Sequence, residues 1–151
     1  LDIREQLRRD HAKALAELAA VGEEADARRA QARLARLRRA WMVHALAEET
    51  VVYRALEGAA ATPHADERFV EHELVESLFQ KLAQGRPGTL EWKSRVAVLR
   101  EVMTRHTESE EGGLFVNLVE RYSAAELLEL GTQFILVRDK LAILEEAKKA
   151  A

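Results

Sequence analysis

The chain repeats itself once, and the repeat puts histidine and glutamate at matched positions in both halves. His11 aligns with His72 and His44 with His106, at separations of 33 and 34 residues. Around them Trp41 matches Met103, Glu48 matches Glu110, Tyr53 matches Phe115 and Leu56 matches Leu118. The second histidine of each half opens the same His-x-x-x-Glu-Glu motif, ending in Glu48-Glu49 and in Glu110-Glu111. The first histidine of each half follows an acid, in Asp10-His11 and Glu71-His72. Two copies of one plan, each the length of a helix pair, restrict the fold to an all-α bundle with pseudo-two-fold symmetry.

Local signals agree with helices. Only two prolines and seven glycines interrupt 151 residues, of which 48% are hydrophobic, and good helix formers dominate. Asp2 with Glu5 reads as a capping box opening a first helix that runs to about Val21 and is broken by Gly22. A long second helix is expected from about Glu23 to Glu57, stopped by Gly58. Thr62-Pro63 supplies a cap and a first-turn proline for the third, which ends near Gln84-Gly85. Thr89 caps the fourth, and Ser123 with Glu126 forms a capping box for the fifth. The chain is thus expected to form a single domain over 1–151, with a four-helix core over about 2–121 and an accessory C-terminal helix over about 123–148. On that last helix Leu127, Leu130, Phe134, Val137, Leu141 and Leu144 form a seam that packs outside the core or makes a homodimer contact.

Charge and composition exclude several function classes. The net charge of −3 is spread over interspersed acids and bases, which gives no lean toward nucleic acid or membrane. Six arginines between Arg28 and Arg39 mostly fall off the apolar stripe of the second helix and read as a solvated face rather than an anion patch. No apolar run reaches membrane-spanning length and no signal peptide is visible, so a cytoplasmic location is the default expectation. The chain starts at Leu1 rather than Met, so further domains of a longer protein fit as well. Without cysteine, thiolate zinc sites and iron–sulfur clusters are excluded, and any metal must be held by nitrogen and oxygen.

Such donors are where the repeat puts them. On the second helix Ala30, Leu34, Leu37, Trp41, His44, Glu48 and Val51 recur at three- and four-residue steps, so His44 and Glu48 lie on the core stripe. The same holds for His106 and Glu110. Buried imidazoles and carboxylates are costly unless paired or bound to metal. Two metals fit the pattern: His11 and His44 on one, His72 and His106 on the other, with Glu48 and Glu110 bridging. Glu76, four residues after His72, is expected to face the second metal as an extra ligand, or else to partner a base such as Arg68. The first metal would then keep an open position for a small ligand. Glu49 and Glu111 read as outer partners, extra ligands or surface acids, and Trp41 and Met103 as walls of the site. Gly112-Gly113 reads as a helix kink or as room for a ligand, and His64 as an exposed loop residue.

The segments Asp10-His-Ala-Lys-Ala-Leu15, His44-Ala-Leu-Ala-Glu-Glu-Thr-Val-Val-Tyr53, Glu71-His-Glu-Leu-Val-Glu76 and His106-Thr-Glu-Ser-Glu-Glu-Gly-Gly-Leu-Phe115, in this order and at these spacings, resemble the hemerythrin-like, HHE cation-binding domains. The resemblance covers roughly residues 5 to 120. It implies an up-down four-helix bundle around an oxo- or hydroxo-bridged di-iron centre. It also implies His11, His44, His72 and His106 as terminal ligands, and Glu48 and Glu110 as bridges. Oxygen-carrying members have a histidine where this chain has Glu76. That departure points away from reversible oxygen carriage and toward members linked to iron or oxygen sensing, peroxide or nitric oxide chemistry, and metal handling; the function expected is binding of, or reaction with, dioxygen, peroxide or nitric oxide at the di-iron centre. A non-enzymatic iron- or oxygen-sensing or metal-storage module, and a metal-free interaction bundle, are the alternatives. His and Glu donors accept manganese or zinc as well as iron.

Overall fold

The computed structural model describes residues 1–57 and 65–150; among them are helices and turns but no strand. Helix α1 (Ile3–Glu23) starts where the sequence places it: the Asp2 carboxylate accepts from the backbone N–H groups of Arg4 and Glu5, and the Glu5 carboxylate accepts from that of Asp2. Gly22 does not end it. A side chain there would come 3.4 Å from Val96 Cγ1, at ordinary contact distance. The turn falls at Glu24–Asp26, and Asp26 caps α2 (Ala27–Glu48) through the N–H of Arg29.

α2 does not run on as an α-helix. A π-helical turn, Glu49–Tyr53, follows directly on Glu48. The second half does the same: α4 (Leu90–Ser109), capped by Thr89, passes into a π-turn at Glu110–Leu114 and resumes as α5 (Phe115–Arg121). Between the two halves lies α3 (Ala65–Ala83). The expected stop at Gly58, the Thr62-Pro63 cap and His64 lie outside the described residues. The C-terminal α6 (Ala124–Ala150) opens with the expected reciprocal pair between Ser123 and Glu126.

Helices α1 to α4 close a ring, α1 against α2 and α4, and α3 against α2 and α4. Two apolar layers fill it. One contains Leu18, Leu34, Leu37, Trp41, Phe79, Leu82, Leu99 and Met103; the other contains Ile3, Leu7, Val52, Leu114, Phe115 and Leu118. Each such large side chain contributes about 1.5–3 kcal/mol by leaving water. Along α1, α2 and α4 the histidines fall between the two layers, so hydrocarbon seals the polar cluster on both sides.

α6 lies outside the ring against α1 and α2. Leu127 and Phe134 are buried in the second layer, whereas Leu128, Leu136, Ile143 and Leu144 remain exposed. No helix among the described residues is long and apolar enough to cross a membrane. The docking hinges on Gly131, where a Cβ would meet Leu1 O at 2.7 Å and Ile3 N at 3.0 Å. Both are backbone atoms, so a methyl group must push α6 off the N-terminus. Gly131→Ala is expected to cost about 1–3 kcal/mol, the usual penalty of overpacking. Urea unfolding checks this; an unchanged midpoint would show that the contact gives way freely.

Candidate metal centre

Four histidines, from α1, α2, α3 and α4, turn their Nε2 atoms toward one interior space with Glu48 and Glu110, and all six side chains are buried. His106 Nε2 lies 2.9 Å from Glu110 Oε1 and 3.2 Å from His72 Nε2. His72 Nε2 is 3.4 Å from Glu48 Oε2, which is 3.7 Å from His44 Nε2, and His11 Nε2 is 3.3 Å from Glu110 Oε2. Trp41 walls the space, its ring 5.3 to 6.5 Å from those of His44, His106 and His72.

The other nitrogen of every imidazole meets a carboxylate. Asp10 takes His44 Nδ1 at 3.1 Å and Glu71 takes His106 Nδ1 at 3.1 Å. Glu49 takes His72 Nδ1 at 2.8 Å and Glu111 takes His11 Nδ1 at 3.0 Å. The acid before each first histidine thus serves the second histidine of its own half. The acid after each inner glutamate serves the first histidine of the other half. An ionised carboxylate only accepts, so Nδ1 carries the proton in each pair and the lone pair of a neutral ring faces inward on Nε2. This arrangement orients histidines for metal binding.

The space contains unmet polar atoms. His11 Nε2, His44 Nε2, Glu48 Oε1 and Glu110 Oε2 are buried without a hydrogen-bond partner. Several lie near one another, but not in hydrogen-bonding geometry. Buried polar atoms left unpaired cost about 1–3 kcal/mol each. A cation between them would satisfy all four, so the donors present fit a metal. They form two groups that share Glu48: Glu48, His72, His106 and Glu110 in one, and His11, His44 and Glu48 in the other. Within each group the donor atoms lie within 4.8 Å of one another.

Glu76 stands apart from this cluster. Its carboxylate turns to Arg38 on α2, accepting from Nε at 3.0 Å and from Nη2, and its side chain is 43% exposed. The expected ligand contact is not made, and the alternative, a partnership with a base, holds with Arg38 in place of Arg68. The asymmetry between the halves comes instead from Tyr53, whose repeat partner is Phe115. The Tyr53 hydroxyl donates to Glu110 Oε1 and lies 3.4 Å from both Glu48 Oε2 and His72 Nε2, with its ring stacked on His72. Hydrogen bonds in a π-turn run five residues along the chain, which lets Tyr53 share the face of Glu48. α-Helical spacing alone does not bring them together. Arg68 is buried near Gly113, where a Cβ would lie 3.7 Å from its Nη2, an ordinary contact distance.

Without metal, protons hold the cluster together. Burial disfavours the charged form of His106, yet hydrogen bonds to Glu110, Glu48 and Glu71 push its pKa up to about 12. Burial likewise opposes charge on His11 and His72, and carboxylate contacts with Glu110 and Glu48 raise both nonetheless. Burial would raise Glu48, but the charge of His44 and hydrogen bonds from His106 and His72 hold it well below the usual range. The histidine contribution is therefore complete below the unfolded value of about 6.5 and is lost as pH rises toward the folded values. The Glu48 contribution is complete above its unfolded value, 4.5, and is lost as pH falls through its folded value. Thermal unfolding of the metal-free chain should thus show a lower midpoint at pH 8.5 than at pH 6. Metal loading, which needs neutral rings, should reverse that slope. A midpoint of the metal-free chain that rises from pH 6 to 8.5 would contradict this balance.

Among known proteins, the chain is similar to a DNA nickase of Nostoc sp. (strain PCC 7120 / SAG 25.82 / UTEX 2576), with 23% identity over 141 residues. The match takes in 93% of this chain and 40% of that protein, so the chain spans about two fifths of the relative's length. No solved structure gives a significant match. The Hemerythrin HHE cation binding domain matches residues 2–118, the stretch that carries all four histidines and both inner glutamates, and the chain belongs to that family.

Proposed function

We propose that this chain holds a non-haem di-iron centre and uses it to bind or react with a small oxidant: dioxygen, peroxide or nitric oxide. The observation that carries this reading is the division of the buried histidines and glutamates, four of which carry an unpartnered atom, into two groups around one shared carboxylate, Glu48. His72, His106, Glu110 and Glu48 would hold one ion, and His11, His44 and Glu48 the other. Bound iron would supply Lewis acidity and electrons for a small ligand. The His11–His44 group has fewer protein donors, which favours that side for an exogenous ligand. The Tyr53 hydroxyl stands on the opposite side, where it holds Glu110 in place and offers a further oxygen donor. The apolar layers and Trp41 shield the cluster from bulk water.

The length of the relative favours a second reading, in which the same centre is a sensing or storage module of a longer chain. The charges of this chain give such a module no lean toward DNA. Arg29 and Arg33 lie near Glu24, Arg38 pairs with Glu76, and the net charge is −3. Anaerobic loading with ferrous iron, followed by admission of air, peroxide or nitric oxide under a spectrophotometer, tests the proposal. An oxidant-dependent ferric absorption that persists through repeated cycles supports reaction. Iron uptake with no response to any of the three supports storage, and a folded chain that takes up no iron rules out the di-iron reading.

A further inference from the structure

α6 reaches into the centre from outside the four-helix ring. Arg138 Nη1 donates to both oxygens of Asp10, at 2.9 and 3.1 Å, and Asp10 Oδ2 takes His44 Nδ1 at 3.1 Å. One turn earlier Phe134, fully buried, sets its ring 5.7 Å from that of His44 at an interplanar angle of 76°. The other half has a weaker counterpart, in which the charge of Arg105 acts on Glu71 from beyond ion-pair distance. Glu71 takes His106 Nδ1, but no arginine or lysine lies within ion-pair distance of Glu71 among the described residues. The rings near His106 belong to the core, Trp41 and His72. Of the histidines that open the two His-x-x-x-Glu-Glu motifs, His44 is therefore the one whose outer acid is pinned by a direct ion pair among the described residues, and α6 supplies it.

We propose that α6 is a working part of the metal site: Arg138, by holding Asp10, fixes the His44 imidazole, so the metal position built on His11, His44 and Glu48 weakens when α6 or Arg138 lets go. The inference rests on the metal-binding reading above. Its physical basis is that an imidazole binds a cation well only when its outer partner holds the ring in one orientation. Asp10 is half-buried and has two partners. Losing Arg138 frees its carboxylate to rotate toward solvent, and His44 loses its anchor. Arg138 is in this sense a positioning residue, and its position on a helix outside the bundle makes one metal position sensitive to whatever moves that helix.

The test is a stepwise Co²⁺ titration of the full chain, with circular dichroism to confirm the fold and proton NMR to follow the shifted imidazole N–H signals. The wild type should take two ions. Arg138→Ala should weaken one of them by up to about tenfold, the lower end of what loss of an outer partner costs. The His11 and His44 signals should fade first. Arg138→Lys should restore most of the affinity. Gly131→Ala, which displaces α6 with Arg138 intact, should reproduce the selective loss. Glu71→Gln should weaken the other position, independently of Arg138→Ala. If Arg138→Ala and Gly131→Ala take up both ions as the wild type does, the inference fails while the metal reading stands. Equal weakening of both positions, the mark of general loosening, would also overturn it. A wild type that takes no ion would overturn both.

Discussion

Glu48→Ala is expected to reduce metal uptake from two ions to at most one, a larger loss than Glu110→Ala should cause. Glu48 is the one donor common to both ligand groups, and it is fully buried. Its Oε2 lies 3.4 Å from His72 Nε2 and 3.7 Å from His44 Nε2, and its Oε1 is unpaired. Alanine removes a donor from each group, leaving His11 and His44 as a two-nitrogen remnant. Glu110→Ala removes a donor from the four-residue group and leaves three there, and it takes away an oxygen 3.3 Å from His11 without stripping the second group of a member. In the metal-free chain Glu48→Ala also strips the raised histidines of a buried counter-charge. Removing one partner of a buried ionic pair costs about 3–5 kcal/mol, and neutralisation of the histidines would absorb part of that. Isothermal calorimetry with ferrous or cobaltous ion, beside urea unfolding of the metal-free proteins, reads both effects. Two ions on Glu48→Ala would contradict the shared-carboxylate account.

Trp41→Ala should be the most damaging single change to the metal-free fold, at about 3–5 kcal/mol. Its indole is buried in the larger apolar layer and touches the rings of three of the four histidines. Truncation opens a cavity on the wall of the polar cluster, where water would enter and screen the ion pairs. The Trp41 Nε1 atom is buried with no hydrogen-bond partner, so its N–H contributes nothing that phenylalanine would lose. Trp41→Phe should therefore recover most of the stability. Leu136→Ala, at a side chain 65% exposed on α6, should change it by less than about 0.5 kcal/mol. Thermal unfolding of the three variants at pH 6 tests the ordering. A Trp41→Phe protein as unstable as Trp41→Ala would show that the indole N–H does contribute.

Much of this arrangement can be read from α-helical periodicity. His44 with Glu48, and His106 with Glu110, are four residues apart, and that spacing fixes a shared face whatever the neighbours do. The capping signals at Asp2, Thr89 and Ser123 are local chemistry, and the structure keeps each of them. Glu76 shows where such reasoning stops. It shares the face of His72, but spacing gives a direction around the helix and not a depth in the bundle. One turn farther along α3 the helix surface has moved within reach of α2, and Arg38 takes the carboxylate. Gly22 misleads for a related reason, since α1 runs through it and its neighbour across the bundle, Val96, belongs to no local pattern.

The outer acids were visible as neighbours of the histidines, but not as partners. Which imidazole Asp10, Glu71, Glu49 or Glu111 reaches depends on how the helices stand beside one another. The repeat held a usable hint: an acid precedes the first histidine and follows the inner glutamate in both halves. Tyr53 was hidden by the π-turn, which changes the register of every residue after Glu48. Arg138 lies more than a hundred residues from Asp10, on a helix outside the repeat, and only the packing of α6 brings them together.

The most direct test of the central claim is a count of metal ions on the folded chain. Native mass spectrometry after anaerobic loading with ferrous iron, on wild type and Glu48→Ala side by side, reads it without assuming any reaction. The account predicts two irons per wild-type chain and at most one on the variant. A wild-type chain that stays helical and carries no iron, or one that carries the same number as Glu48→Ala, would contradict it.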